Sequence, residues 1–147
     1  MGAKRPVSVL VVIHTPQLDV VVLERALHPG YWQSVTGSQE ADESLMTTAI
    51  REVHEETGII ANPENLIDWH LSNRFEIFHE WRHRYADGVT HNTEHVFSLC
   101  LPEPRALQLA PDEHFSFQWL PYKAAAAKVF SWTNRDAILM LPNISSQ

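Results

Sequence analysis

The segment from Val7 to Ile13 constrains the fold of this chain most, because it is aliphatic at every position except Ser8. β-Branched residues favour a strand, and an apolar run without alternation is typical of a strand buried on both faces. The next stretch, "HTPQLD", carries Pro and Asp and predicts a turn. Strand character resumes from Val20 to Glu24, so we expect the two strands to form a hairpin.

The rest of the chain has no repeat and no long linker, which predicts one domain over residues 1–147. Short apolar runs bounded by turn residues predict strands, and longer runs without Gly or Pro predict helices. The expected strands are Trp32–Thr36, Leu66–Trp81 with a bulge, His95–Leu101 and Phe117–Leu120, and two late helices are expected from Pro121 to about Lys128 and from Asn134 to Leu141.

A longer helix is expected from Ser44 to Thr57, where no Gly or Pro interrupts the chain. Its apolar positions follow the i, i+3, i+4, i+7 spacing of a face packed on a core. Gly58 stands where a glycine commonly ends a helix. The residues that form the apolar face are Met46, Ala49, Ile50 and Val53.

The same helix carries three glutamates, Glu52, Glu55 and Glu56, on one side. Like charges at these spacings destabilise a helix by roughly 0.2–0.5 kcal/mol per pair. A hard cation such as Mg²⁺, which prefers oxygen ligands, converts that repulsion into attraction. The alternative for such a cluster on its own is a solvated acidic helix face.

Composition narrows the classes of partner. The net charge of −7 over 147 residues argues against binding to nucleic acid or to an anionic membrane, both of which need a basic surface. No apolar run approaches the roughly 20 residues of a membrane span, and no signal-peptide cleavage site is recognisable. The single cysteine, Cys100, lies in an apolar strand-like run and is expected to be a buried structural thiol. These features predict a cytoplasmic protein.

The segment from Gly37 to Ile59 extends the glutamate cluster into a longer pattern. It reads Gly, five residues, Glu, seven residues, Arg-Glu, an aliphatic residue, one residue, Glu-Glu, one residue, Gly and an aliphatic residue. A chance match in a chain of this length is on the order of one in ten million or less. The segment resembles the Nudix box at every defining position: Gly37, Glu43, Arg51, Glu52, Val53, Glu55, Glu56, Gly58 and Ile59.

The resemblance to Nudix hydrolases implies an α/β/α sandwich around a mixed sheet. In that fold the box forms a loop–helix–loop that holds a divalent metal against a diphosphate bond. It implies that Gly37 lets the backbone approach the metal, that Arg51 orients the glutamates, and that Glu43 starts the helix or supports the site. The alternative for Arg51 is an exposed helical arginine. The implied catalytic residues are Arg51, Glu52, Glu55 and Glu56, and the implied metal ligands in the box are Gly37, Glu52, Glu55 and Glu56.

Further segments resemble the bacterial dihydroneopterin triphosphate diphosphatases of folate biosynthesis. These segments are "KRPVSVLVVI", "YWQSVTGS", "FEIFHEWRHRYADGVTHNTEH", "DEH" and "SWTNRDAI", and they spread over nearly the whole chain. The resemblance implies Mg²⁺-dependent cleavage between the α- and β-phosphates, with Mn²⁺ as a substitute cation. The expected products are dihydroneopterin monophosphate and pyrophosphate.

The same resemblance assigns residues outside the box. It implies that Glu113 is a further metal ligand, that Lys4 and Arg25 neutralise phosphate charge, and that an aromatic pocket holds the flat pterin. Phe75 and Phe78 have an alternative role as ordinary sheet core. The implied substrate contacts are Lys4, Arg25, Thr36, Phe75, Glu76, Ile77, Phe78 and Ser131, and Thr36 is expected to donate a hydroxyl hydrogen bond.

Other polar side chains leave alternatives open. Arg82 and Arg84 are candidates for phosphate contacts or for a structural ion-pair cluster. Two histidine pairs have the spacing of one helix face, but both lie in stretches expected to be strand and turn, which disfavours a transition-metal site. These pairs are His79 with His83 and His91 with His95. The sequence contains no G-x-S-x-G motif, so it does not indicate a nucleophilic serine.

The leading hypothesis is therefore metal-assisted hydrolysis of a small triphosphate by a monomer or small homo-oligomer. Glu55 is the first candidate for the general base and Glu113 the second. A rival hypothesis is a Nudix pyrophosphatase of other nucleoside triphosphates, such as dATP or an oxidised purine nucleotide. A more distant one is a ligand-binding sensor that has lost catalysis.

Overall fold

The structure is a computed structural model that describes residues 3–145. Its centre is a seven-stranded sheet, and helices cover both faces. The strands are β1 (Val7–His14), β2 (Asp19–Arg25), β3 (Trp32–Gln33), β4 (Val35–Ser38), β5 (Leu66–Glu76), β6 (His91–Cys100) and β7 (His114–Pro121). The helices are α1 (Leu45–Thr57), α2 (Tyr122–Lys128) and α3 (Trp132–Ser145), and short 3-10 helices lie at Pro63–Asn65 and His79–Arg84.

The sheet is mixed. β1 pairs in parallel with β6 along its whole length, and β5 continues the sheet beyond β6 in the antiparallel sense. On its other side β1 pairs antiparallel with β4. β2 pairs antiparallel with β7 and β3.

The predicted hairpin between the first two strands is right only at the turn. β1 and β2 pair at His14 and Val20, and from there they diverge. The reason is that other strands take these two edges beyond the turn: β4 occupies that edge of β1 from Ser8 to Val11, and β3 occupies that edge of β2 at Leu23 and Glu24.

β1 is buried on both faces, as its composition predicts. Its residues Val9 to Ile13 are at most 2% exposed. The odd-numbered side chains pack with α1, and the even-numbered ones pack with α2 and α3. The α/β/α sandwich around a mixed sheet is therefore confirmed.

The helix α1 begins one residue after the predicted start, at Leu45, and ends at the predicted residue, Thr57. Ser44 precedes it and accepts a hydrogen bond from the Thr47 backbone N–H, while Gly58 ends it in the left-handed region at φ +76°. The Gly58 N–H bonds the His54 carbonyl. Of the predicted apolar face, Ala49 and Val53 are fully buried, and the other two members, Met46 and Ile50, are partly buried against the same core.

Other boundaries differ from the sequence prediction, and β6 and β7 begin four and three residues earlier than expected, at His91 and His114. The strand expected through Trp81 ends at Glu76, and the 3-10 helix follows it; the expected bulge is present between Asp68 and Ser72. The expected strand Trp32–Thr36 is divided into β3 and β4, which pair with different strands. α3 begins at Trp132 and passes Pro142 near its end, where the missing N–H removes only one bond of the last turns.

Cys100 is half-buried, so the prediction of a buried thiol is wrong in degree. Burial nonetheless raises the pKa of the Cys100 thiol above its ordinary value, which disfavours the nucleophilic thiolate. Among the helices of residues 3–145, none has both the length and the apolar character needed to cross a bilayer.

Substitution of Gly58 tests why α1 ends with a glycine. We expect Gly58→Ala to lower the free energy of unfolding by about 1–2 kcal/mol from its positive φ alone. A Cβ there would also lie 2.9 Å from the Gln108 Cβ, which adds crowding. The matched control is Gly88→Ala, at φ +87° with open space around it. Urea unfolding of both variants should show the larger loss for Gly58→Ala; equal losses would contradict the close approach to Gln108.

Candidate active site

Arg51 organises the acidic end of α1. Its Nε and Nη2 donate to the two carboxylate oxygens of Glu43 at 2.6 and 2.9 Å, and its Nη1 donates to Glu52 Oε1 at 2.7 Å. The same Nη1 lies 3.2 Å from Glu55 Oε2, and Nη2 also donates to the Ser38 carbonyl at 3.0 Å. Arg51 therefore donates hydrogen bonds to three carboxylates, and its placement rules out the alternative of an exposed helical arginine without such partners.

Glu43 is the most firmly held of these carboxylates. Besides Arg51, it accepts hydrogen bonds from the Thr48 hydroxyl and the Glu40 backbone N–H. The Arg51 hydrogen bonds, followed by those from Glu40 and Thr48, lower the pKa of Glu43 to about 2 even though its partial burial opposes the change. Glu43 thus fixes Arg51, and through it Glu52, from the start of the helix.

Glu52 and Glu56 are buried next to each other. Glu56 is 2% exposed and Glu52 8%, and burial raises the pKa of both carboxyls above the ordinary range. The neighbouring Glu52 raises the pKa of Glu56 further, while Arg51 opposes the effect at Glu52. One oxygen of Glu56, Oε1, has no hydrogen-bond partner among the described residues.

Gly37 lies directly over Glu52. A Cβ at this position would overlap the Glu52 carboxylate, so any residue with a side chain would displace the carboxylate. The sequence suggested a glycine that approaches a metal. The structure adds a different requirement, which is close contact between β4 and the Glu52 carboxylate.

Glu56 belongs to a group of three metal-ligating side chains. Ligand atoms of Glu56, Glu113 and His114 lie within 4.8 Å of one another. Glu113 is exposed, which allows entry from solvent, whereas Glu56 and His114 are buried. An unpartnered buried carboxylate oxygen beside further carboxylates is a donor set that suits a hard divalent cation.

His114 was not singled out by the sequence, although it ends the "DEH" segment. Its Nδ1 lies 3.8 Å from Glu56 Oε1, and its Nε2 lies 3.2 Å from the Gln33 side-chain nitrogen. Burial, with a smaller contribution from the positive charge of Arg25, lowers the pKa of His114 to about 4. The ring is therefore neutral at pH 7.

Glu55 faces outward. Its side chain is 51% exposed, and its hydrogen-bond partner in the structure is Arg51. It lies outside the lining of the cavity described next. Its roles as ligand and base remain predictions.

A cavity of about 510 Å³ adjoins the carboxylates. It brings together every substrate contact expected from the sequence, together with Gly37, Glu56 and Glu113. Arg51 and Glu52 are not part of this lining. The expected contacts that line the cavity are Lys4, Arg25, Thr36, Phe75, Glu76, Ile77, Phe78 and Ser131.

Three basic side chains face the cavity: Lys4, Arg25 and Arg84. Burial and then the positive charge of Arg84 lower the pKa of both Lys4 and Arg25, so the three basic groups lie close enough to influence one another. Arg82 differs, because it pairs with Glu76 at 2.8 Å and donates to the Ile77 carbonyl. Of the two arginines that the sequence left open, Arg82 is thus structural and Arg84 lines the cavity.

Aromatic rings form another part of the wall. Phe78 is 47% exposed and follows the end of β5, so its alternative role as sheet core is wrong, whereas Phe75 is half-buried within the strand. Phe78 lies 5.0 Å from the Trp81 ring, which lies 6.3 Å from Phe130 at a right angle. Arg25 stacks over Trp81 at 4.7 Å. The contribution of Trp81 and Phe130 was not predicted from the sequence, because their approach depends on the 3-10 helix His79–Arg84.

Two expected contacts have structural partners of their own. The Thr36 hydroxyl donates to the Val9 carbonyl at 3.0 Å, so the expected hydrogen-bond donor is already engaged in the sheet and only its oxygen lone pairs face a ligand. The Ser131 hydroxyl accepts from the Asn134 backbone N–H at 3.2 Å at the start of α3. Among the described residues, neither histidine pair belongs to a group of three metal-ligating side chains.

A family model described as the NUDIX domain matches residues 4–141, so the chain belongs to the Nudix family. It is 49% identical over 138 residues to the dihydroneopterin triphosphate diphosphatase of Escherichia coli K12, which covers 92% of this chain and 91% of that protein. The protein of the same name from Haemophilus influenzae is 42% identical over 141 residues, or 94% of this chain and 88% of that protein. The solved structure of the E. coli dihydroneopterin triphosphate pyrophosphohydrolase superposes with a TM-score of 0.87 at 48% identity, covering 94% of this chain and 95% of that one.

The Glu43–Arg51 contact predicts a pH-dependent stability. Because the folded-state pKa of Glu43, about 2, is below its ordinary value of 4.5, its contribution is complete above pH 4.5 and is lost as the pH falls towards 2. We expect Glu43→Gln to lower the free energy of unfolding by about 1–2 kcal/mol at pH 7. Denaturant unfolding should show the difference from the natural chain shrinking between pH 4.5 and 2.

The control for this prediction is Glu40→Gln. The exposed Glu40 carboxylate lies 3.5 Å from Arg51 Nε, which also donates to Glu43. Removing its charge should therefore lower the free energy of unfolding far less than Glu43→Gln does. The proposed contact between Glu43 and Arg51 would be contradicted if the loss in free energy of unfolding of Glu43→Gln stayed constant over this pH range. Equal losses for Glu43→Gln and Glu40→Gln would also contradict it.

Proposed function

We propose that this chain is a metal-dependent hydrolase that cleaves dihydroneopterin triphosphate to dihydroneopterin monophosphate and pyrophosphate, as a step of folate biosynthesis. The observation that carries the proposal is one cavity whose wall combines a carboxylate cluster, basic side chains and aromatic rings. The carboxylates suit a metal ion, the basic side chains suit a phosphate chain, and the aromatic rings suit a flat heterocycle. The similarity to dihydroneopterin triphosphate diphosphatases over nearly the whole chain supports the choice of ring.

The basic residues act on the phosphate chain. Lys4, Arg25 and Arg84 line the same cavity as Glu56 and Glu113, and the charges of these two carboxylates partly offset the lowering of the Arg25 pKa. Stacking over Trp81 and a hydrogen bond to Gln33 at 3.2 Å hold the Arg25 guanidinium, so its orientation is set before substrate binds. Fixed charges of this kind lower the free energy of a transition state without reorganisation.

The metal ligands in this proposal are Glu52, Glu56 and Glu113, with Mg²⁺ as the cation and Mn²⁺ as a substitute. These three carboxylates offer oxygen donors, which favour such hard ions over zinc, while the His114 ring lies beside them. A bound divalent cation supplies positive charge that polarises phosphate oxygens and makes a nearby water molecule more acidic. Arg51 and Gly37 keep the Glu52 carboxylate in place.

The proton of the attacking water needs an acceptor. Glu113 lines the cavity and is exposed to solvent, whereas Glu55 lies outside the lining and contacts Arg51. This arrangement favours Glu113 and reverses the order that the sequence suggested. We expect Glu113→Gln to lower kcat more than Glu55→Gln does, and a larger loss with Glu55→Gln would restore the original order.

Several sequence expectations stay predictions beside this function. They are a single Nudix hydrolase domain over residues 1–147 with its box at 37–59, a monomer or small homo-oligomer, a cytoplasmic location, and no binding to nucleic acid or membranes.

Glu56 provides the most direct test of catalysis. We expect Glu56→Gln to reduce kcat by about 10³-fold or more, because it removes a central metal ligand and its charge. Thermal unfolding should show an intact fold, since Gln has nearly the same volume. The control is Glu64→Gln, at an exposed carboxylate on the Pro63–Asn65 turn. Near-normal turnover by Glu56→Gln would overturn the metal-site assignment.

The choice of substrate is tested by comparing rates. We expect kcat/KM for dihydroneopterin triphosphate to exceed that for dATP and for an oxidised purine nucleoside triphosphate at least tenfold. Hydrolysis in ¹⁸O-labelled water should place the label in one product only and so identify the phosphorus attacked. Preference for a purine nucleotide would support the rival Nudix function, and saturable binding without pyrophosphate release would indicate a sensor.

A further inference from the structure

The floor of the cavity contains a carboxylate that the proposed chemistry does not use. It belongs to Glu94 on β6, and Asn92 lines the same cavity two residues earlier. Alternate residues of a strand point to one face, and the register places Ser8 beside Glu94 and Phe75 beside Asn92. Glu94 is outside the group formed by Glu56, Glu113 and His114.

Both floor residues are buried with an acceptor atom unused. Glu94 is 6% exposed and Asn92 4%, yet Glu94 Oε1 and Asn92 Oδ1 have no hydrogen-bond partner within the described chain. The Asn92 amide nitrogen donates to the Ser8 hydroxyl at 2.7 Å, which directs the amide oxygen elsewhere. Buried polar atoms are nearly always paired, so two free acceptors in one cavity indicate a ligand that brings donors.

The environment of Glu94 allows its carboxyl group to be protonated or ionised near neutral pH. Burial raises the pKa of the carboxyl to about 7, and a hydrogen bond with Thr133 partly offsets this effect. Thr133 lies at the start of α3, next to Ser131, which caps that helix. A ligand that donates N–H groups to Glu94 would therefore favour the ionised carboxylate at neutral pH.

We propose that Glu94, assisted by Asn92, binds the N–H edge of a 2-amino-4-oxopyrimidine ring and so determines which heterocycle the enzyme accepts. This inference rests on the proposed function. A pterin presents a ring N–H beside an exocyclic amine, and the two oxygens of a carboxylate accept both. Guanine carries the same pair, hypoxanthine lacks the amine, and adenine has an acceptor where the ring N–H would be.

The charge pattern fits this assignment. Phosphate and carboxylate repel each other, so a carboxylate in the floor disfavours placement of the phosphate chain at Glu94 and directs it towards Lys4 and Arg25. The half-buried ring of Phe75 lies beside Asn92, where it can contact the face of a flat heterocycle. The competing explanation is a protonated carboxyl that only bonds Thr133 and supports α3.

The test compares Glu94→Gln with the natural chain, and Glu64→Gln is the matched control outside the cavity. The first measurement is kcat/KM for dihydroneopterin triphosphate. The second is the inhibition constant of GTP and of ITP against that reaction, since these nucleotides differ only in the 2-amino group. Circular dichroism melting shows whether Glu94→Gln folds.

We expect Glu94→Gln to lower kcat/KM for dihydroneopterin triphosphate by about 10- to 100-fold, the loss typical of a hydrogen bond to a charged group. The natural chain should bind GTP about tenfold more tightly than ITP, and this ratio should approach one in Glu94→Gln. Glu64→Gln should match the natural chain in both respects.

Three results would overturn the inference: equal inhibition of the natural chain by GTP and ITP, an unchanged ratio in Glu94→Gln, or an unchanged kcat/KM. The natural-chain ratio decides the matter even if the variant does not fold. If the natural chain hydrolyses dihydroneopterin triphosphate but shows no such selectivity, only the role of Glu94 fails. If it does not hydrolyse that substrate, the proposed function fails first.

Discussion

The repulsion between the buried carboxylates of Glu52 and Glu56 is the interaction on which the rest of the site depends. Burial raises the pKa of both groups, and the neighbouring Glu52 raises that of Glu56 further, so both are unfavourable as anions without a compensating cation. Arg51 compensates only the Glu52 side, and Glu56 Oε1 remains without a partner. The helix therefore holds Glu56 ready for a positive charge that comes from outside the chain.

The fold supplies the positions that make this arrangement useful. β1 pairs with β4 on one side and β6 on the other, which places Gly37 against the glutamates and Glu94 at the floor of the same cavity. The first residue of β7, His114, and the residue before it, Glu113, complete the acidic end. One ligand can thus contact the metal site and the ring site at once, which is how binding energy from the ring can assist reaction at the phosphates.

Sequence patterns predicted those parts of the structure that depend on local periodicity or on the box. The ends of α1, the two buried faces of β1 and the bulge in β5 are of this kind. The divergence of the hairpin, the aromatic cluster around Trp81 and the approach of His114 to Glu56 were not predictable, because each depends on segments far apart in the chain. The unpartnered oxygen of Glu94 was likewise not predictable, because it depends on which residues surround Glu94 in the folded chain.

Thermal unfolding of the natural chain and of Glu56→Gln, each with EDTA and with MgCl₂, tests the central claim most directly. Without metal, Glu56→Gln should be at least as stable as the natural chain, because the substitution removes the buried repulsion. Metal should stabilise the natural chain, by about 2.7 kcal/mol at 100 times the dissociation constant, and should leave Glu56→Gln unchanged. Equal stabilisation of both proteins, or none of the natural chain, would contradict a cation site at Glu56.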